Sequence, residues 1–348
     1  MRNFKLLLLV LFVSADLHAQ DDSLKILLYQ GVALHDQGDY DGAIKLYDEV
    51  ISKDPSRLLA WYEKSLSLCA TKKYQECADL CKLVLKNFKE GDELDNIYVN
   101  YGTALDALGK PDEAIRIYSQ GIKKYNHYLL FFNRGITEYQ EKDHEAGIDD
   151  FQQTLMLKPL HASSHQFLGY AMYDRNKVAS ILSLSVFLMI EPNTARSEKN
   201  LKLLNALYSG FAKKGEDKTV TIFMDRNMPD VKKKKPDDFS LTEFSLKLQV
   251  ALEYSDSLKG LNPAEHMKGR LETLSAIGTD KKGFFTGFYG PFFKTLKEAG
   301  WLETAAYVIY AGSGDEDVKK WITGNEEKIT GFMKWLKEYK WAGKEGRE

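Results

Sequence analysis

The stretch YQGVALHDQGDYDGAIKLYDEVISKDP, residues 29–55, decides the fold. A small residue, Gly31, comes early, and a Gln-Gly-Asp turn at 37–39 divides the stretch. Ala43 and Tyr47 follow twelve and sixteen residues after the glycine, and Pro55 ends it, where a helix must stop. The pattern returns with small residues at Ser65, Gly102, Gly135 and Gly169, in steps of 34, 37, 33 and 34 residues. Position twelve reads Ala43, Cys77, Ala114, Gly147 and Ile181; position sixteen reads Tyr47, Cys81, Tyr118, Phe151 and Ser185. Four residues before each marker stand Leu27, Trp61, Tyr98, Phe131 and His165. A period near 34 predicts two-helix repeats stacked into a solenoid, each burying its apolar face only against a neighbour. The small marker on the first helix is expected to let the small residue of the second approach closely, with the flanking aromatics filling the gap to the next repeat.

Residues 29–55, together with VNYGTALDALGKPDEAIRIYSQGI at 99–122 and FNRGITEYQEKDHEAGIDDFQQTLMLKP at 132–159, resemble tetratricopeptide repeats (TPR). The resemblance covers residues 24–195. It departs from the family pattern at Cys77 and Cys81 in the second repeat, and at Ile181 and Ser185 in the fifth. It implies an all-α, right-handed helix-turn-helix solenoid of about five repeats that binds proteins and carries no chemistry of its own.

The remainder divides by composition and periodicity. Residues 1–19 place Arg2 and Lys5 before an apolar run from Leu6 to Val13, the layout of a secretory signal peptide. Cleavage after Ala19 or after Ala15 both fit. The run is shorter than the roughly 20 residues a membrane span needs, so no stable membrane insertion is expected after cleavage. The resulting location is export, to a bacterial periplasm. Residues 196–214 read as a capping helix and 215–239 as a linker. Within the linker, KTVTIF alternates like a strand without an evident partner, and four lysines follow at 232–235. Residues 240–341 read as a smaller, aromatic-rich helical domain of no recognised family. Its expected start and stop signals are a Ser240–Glu243 capping box, Asn262 before Pro263, Gly290–Pro291 opening a helix that Gly300 closes, and Asn325 opening the last. The phenylalanine cluster from Phe284 to Phe293 and four late tryptophans form either a core or a docking surface.

A formal net charge of −2 opposes nucleic-acid binding. The three cysteines, Cys69, Cys77 and Cys81, all fall in the second repeat. They read as small buried hydrophobes, with a disulfide from Cys69 to one of the others as the alternative. His161 and His165 have the spacing of a helical metal pair, but both fall at positions the repeat register already explains. GSGDED at 312–317 lacks the ligand spacing of a calcium loop and reads as an N-cap at Asp315. No catalytic, cofactor or metal motif emerges.

The concave face is the expected site. It should be lined by the first helix of each repeat, and its apolar, tyrosine-rich positions are Leu28, Val32, Tyr62, Leu66, Phe132, Ile136, Tyr139, Tyr170 and Tyr173. This surface suits an extended protein or peptide partner. Either such a partner or the chain's own C-terminal helices should cover it. The sequence thus reads as a non-enzymatic scaffold of the cell envelope. The alternative is a catalytic or small-ligand-binding C-terminal domain targeted by the repeats, which a deep pocket lined by ionisable groups would favour.

Overall fold

A computed structural model describes residues 21–215, 219–224, 236–278 and 282–342. The signal-peptide expectation and the lysines at 232–235 lie outside these residues. The chain divides into two compact units, Met1–Gly147 and Ile148–Glu348.

The first unit is a run of helical hairpins. Helix α1 covers 21–36. It is followed by α2 (Tyr40–Lys53), α3 (Leu58–Ala70), α4 (Tyr74–Asn87), α5 (Leu94–Ala107), α6 (Pro111–Lys124), α7 (Tyr128–Gln140) and the start of α8 (His144–Leu157). Each helix packs on the next, and α3 also touches α5 as α5 touches α7. First helices therefore line one face and second helices the other. Seven residues after each marker the chain turns through positive φ: Gly38 (85°), Lys72 (61°), Gly109 (72°) and Lys142 (69°). Only glycine adopts this backbone without steric cost.

The marker contact differs from the expected one. In repeats one and three the ring sixteen residues on, not the small residue at twelve, lies against the glycine. A Cβ at Gly31 would meet Tyr47 at 2.5 Å, and one at Gly102 would meet Tyr118 at 2.3 Å. Both rings are fully buried. In repeats two and four position twelve does approach the marker: the Cys77 sulfur donates to the Ser65 carbonyl at 3.3 Å, and a Cβ at Gly147 would stand 2.8 Å from the Gly135 carbonyl oxygen.

The second unit contains the rest of α8, then α9 (Ala162–Met172), α10 (Lys177–Ile190) and α11 (Ala195–Ser209). Helix α10 carries VASILSLSVFLM, apolar on every side, and all of Val178–Met189 is buried. A helix with no polar face needs partners all round. It has them in α9, α11 and three later helices, α12 (Ser240–Leu252), α14 (Phe284–Glu298) and α15 (Leu302–Ile309). The fifth repeat is thus embedded among the C-terminal helices. Helix α11 stops at Ser209, and Ala212–Lys214 form a strand, β1, that pairs antiparallel with β2 (Val220–Ile222). This supplies the partner that KTVTIF lacked in sequence.

Helices α13 (Pro263–Leu274), α16 (Glu316–Gly324) and α17 (Glu326–Glu338) complete the unit. Asn262 caps α13 in a capping box with Glu265, and Asp315 caps α16. Other signals resolve differently. Ser240 is the first residue of α12 rather than its cap, and its hydroxyl donates to Asp238. Pro291 lies inside α14, which begins at Phe284. Its amide hydrogens are capped from afar, by the Asp237 carboxylate at 3.2 Å from Phe285 N and 2.7 Å from Thr286 N. Asn325 precedes α17 but donates back to the Trp321 carbonyl, closing α16. The aromatic cluster is a filled core: Trp341 stacks on Phe288 and Phe292 at 4.9 and 4.4 Å between ring centres.

Candidate functional site

In the first unit, α3 presents half-buried Tyr62 and Leu66, and α7 presents half-buried Phe132, Ile136 and Tyr139, on the face built by first helices. Helix α5 lies between them, with buried Val99 and half-buried Thr103 and Asp106 at the same offsets. Burial raises the Asp106 carboxyl pKa above its ordinary value. Leu28 does not line this face. It is buried with Ala43, Tyr47, Val50 and Ala60 in the core of the first hairpin, because α1 turns that offset toward α2. Val32 is half-buried against the same cluster. In the second unit Tyr170 is 41% exposed and Tyr173 half-buried. The Tyr170 hydroxyl accepts from Gln166 at 2.9 Å. Within that unit the later helices pack on α10.

Side chains that join successive repeats escaped the sequence reading. Asn100 and Asn133 both stand two residues before a marker. Asn100 donates back to the Ser65 hydroxyl at 2.8 Å and Asn133 to Thr103 at 3.3 Å. His35 similarly meets Ser67 at 2.7 Å. The recurrence of asparagine at that offset was the available signal.

His165 takes the aromatic slot of the fifth repeat and is fully buried. Its Nε2 faces the Pro159 carbonyl at 2.8 Å, and so carries the proton. Its Nδ1, 2.8 Å from the Tyr289 hydroxyl, is therefore the acceptor. With both nitrogens bonded to protein, His165 has no lone pair for a metal. His161 bonds Ser164 at 2.9 Å.

The second unit also holds a cleft of about 680 Å³ between α11, α12, α13 and the loop after α15. Arg270 crosses it with bidentate bonds to Glu253 at 2.8 and 2.6 Å, its guanidinium 4.2 Å from the centre of the Tyr208 ring. Burial, the largest single influence, would lower the Arg270 pKa, but the bond to Glu253 and the electrostatic pull of Tyr310, Glu253 and Tyr208 together outweigh it, and the net shift is upward. His266 lies one helical turn before Arg270, its Nδ1 3.8 Å from Glu253 and without a hydrogen-bond partner. The buried Tyr208 hydroxyl also lacks one. The spacing of His266 and Arg270 on one helix face was visible in sequence, but nothing there linked it to Glu253, just past the end of α12.

Two family models, both described as tetratricopeptide repeat, match residues 24–57 and 101–179. The N-terminal region is built of tetratricopeptide repeats, a protein–protein interaction scaffold in a family that is typically non-catalytic. Neither match reaches the C-terminal helices. Solved structures similar to this chain include PilF of Pseudomonas aeruginosa, at 15% identity and a TM-score of 0.47, covering 55% of this chain and 90% of that one. TTC0263 of Thermus thermophilus is 16% identical with a TM-score of 0.42, over 53% of this chain and 97% of its own. YrrB, a TPR protein with an unusual peptide-binding site, is 19% identical with a TM-score of 0.38, over 52% and 89%. No curated protein matches the chain. No helix among the described residues is long and apolar enough to cross a membrane.

Proposed function

We propose that this protein is a scaffold of the bacterial cell envelope, exported to the periplasm, that seats an extended protein or peptide segment on the face formed by its first helices. The observation that carries this reading is the half-buried apolar set on α3 and α7, Tyr62, Leu66, Phe132, Ile136 and Tyr139. Partly exposed aromatics of this kind give an extended segment apolar pockets. Tyr170 and Tyr173 offer the same chemistry on the second unit. The signal-like order of residues 1–19 supports export.

The test is capture from envelope extracts by the wild type and by a Phe132→Ala/Tyr139→Ala variant. Capture should fall, each aromatic being worth up to about 2 kcal/mol if it is a binding hot spot. The melting temperature should change little. Capture and melting both unchanged would refute the site. For export, the chain recovered from the periplasm should begin near Gln20, and intact mass retaining Met1 would refute it.

A second reading has its own support. The cleft around Glu253, His266 and Arg270 favours small-ligand binding by the C-terminal half. A cleft of this size falls in the usual ligand range of about 300–1,000 Å³. Thermal-shift screening of small metabolites against the wild type and His266→Ala tests it; a hit that shifts both proteins equally lies elsewhere.

A further inference from the structure

The second repeat is joined differently from its neighbours. In repeats one and three, Tyr47 or Tyr118 fills the space over the marker glycine and so ties the two helices of the hairpin. The corresponding residues in repeat two are Ser65 and Cys81, neither of which is a ring. Another contact stands close by. The sulfur of Cys69, in the last turn of α3, lies 2.6 Å from that of Cys77, in the first turn of α4. The two are thiols in hydrogen-bond contact, closer than the roughly 3.5–4.0 Å at which carbon atoms settle and further apart than the about 2.05 Å of a sulfur–sulfur bond. Cys77 is buried and Cys69 half-buried. Cys81 is also buried, one turn further along α4. Residues four apart on a helix hold their Cβ atoms about 5–6 Å apart. A disulfide needs about 3.5–4.5 Å, so Cys77 and Cys81 are poorly placed to bond each other.

We propose that Cys69 and Cys77 form an intrachain disulfide that staples α3 to α4, with Cys81 remaining a thiol. Cys69 stands at a groove offset, so the staple fixes the helix that presents Tyr62 and Leu66. In forming the bond the two thiols lose two protons and two electrons. A low-molecular-weight or protein disulfide accepts both, its own sulfur–sulfur bond breaking to give two thiols. The hydrogen bond to Cys77, and then burial, raise the Cys69 pKa, which keeps thiolate scarce in the folded hairpin.

The full chain, refolded in oxidised and reduced glutathione, should be unfolded in denaturant with N-ethylmaleimide and weighed. The expected product carries one maleimide, on Cys81, and yields a linked Cys69–Cys77 peptide that reductant separates. Three maleimides after oxidation, a link through Cys81, or a link between chains would overturn the proposal. A Cys81→Ser variant should form the same link with no maleimide added, and should melt several degrees higher oxidised than reduced. Equal melting of the two forms would overturn the staple.

Discussion

The hydroxyl of Tyr289 on α14 donates to Nδ1 of His165 on α9 at 2.8 Å, so the fifth repeat is hydrogen-bonded to the aromatic core of the C-terminal helices. Burial lowers the His165 pKa from 6.5 to about 3. An unfolded chain takes up a proton there near pH 6.5 and the folded one does not. The stability from this site is thus complete above pH 6.5 and is lost as pH falls from 6.5 toward 3. His161, lowered by burial to about 4, acts in the same direction. Each contributes at most about 1.4 kcal/mol per pH unit in that window. A His165→Phe variant should be less stable at pH 7 by about 1–3 kcal/mol, because Tyr289 and Pro159 lose their partner. Between pH 7 and pH 5 it should lose about 2 kcal/mol less than the wild type. Denaturant unfolding at both pH values decides this, and equal losses would refute it.

The positive φ at Lys72 and Lys142 carries a steric cost that Gly38 and Gly109 avoid at equivalent turns. Lys72→Gly and Lys142→Gly should each stabilise the protein by about 1 kcal/mol, despite the greater freedom glycine gives the unfolded chain. Lower denaturation midpoints for both variants would show that the lysines make contacts outweighing the backbone term.

Gly102→Ala places a methyl group 2.3 Å from the Tyr118 ring. That ring is 1% exposed and its hydroxyl lies 3.2 Å from Thr103, so it has no room to retreat. A loss of about 1–3 kcal/mol is expected in chemical denaturation. Gly109→Ala meets no atom but must hold φ at 72°, so its loss should be near 1 kcal/mol.

Arg270→Met leaves Glu253 without its bidentate partner in a buried setting, which should cost about 3–5 kcal/mol. The Arg270→Met/Glu253→Leu pair should recover much of that loss, because both charges go together. Failure of the double variant to exceed the single one in melting temperature would contradict this account.

The repeats were legible because their packing constraint recurs. A small residue near every thirty-fourth position can be seen in one copy and checked in four others, and Gly31–Tyr47 and Gly102–Tyr118 share one spacing. Turn position seven was harder to read, since Lys72 and Lys142 adopt the glycine conformation without glycine's signature. Leu28 departs from the offset rule because that rule assumes every first helix meets its partner at the same rotation, whereas α1 turns this position toward Ala43 and Tyr47. The C-terminal half resisted for a different reason. Two of its helix ends depart from the local signals: Asp237, far off in sequence, caps α14, and Asn325 serves the helix before it rather than the one after. Ser240–Glu243 therefore marked the start of α12 but not its capping contact, and Gly290–Pro291 pointed to a boundary that lies inside α14. The Glu253–His266–Arg270 cleft depends on side chains from separate segments, which periodicity does not report.

The encasement of α10 bears on how a chain like this lengthens in evolution. Duplicating a repeat works when the copy offers one face to each neighbour and polar residues to water. Helix α10 has no face to spare, since every side of Val178–Met189 is already covered. A copied α9–α10 pair would put that apolar surface against solvent or displace the helices that shield it. Recombination can therefore add or remove repeats only upstream of Ala162, while the segment from α9 onward must be inherited as one indivisible piece.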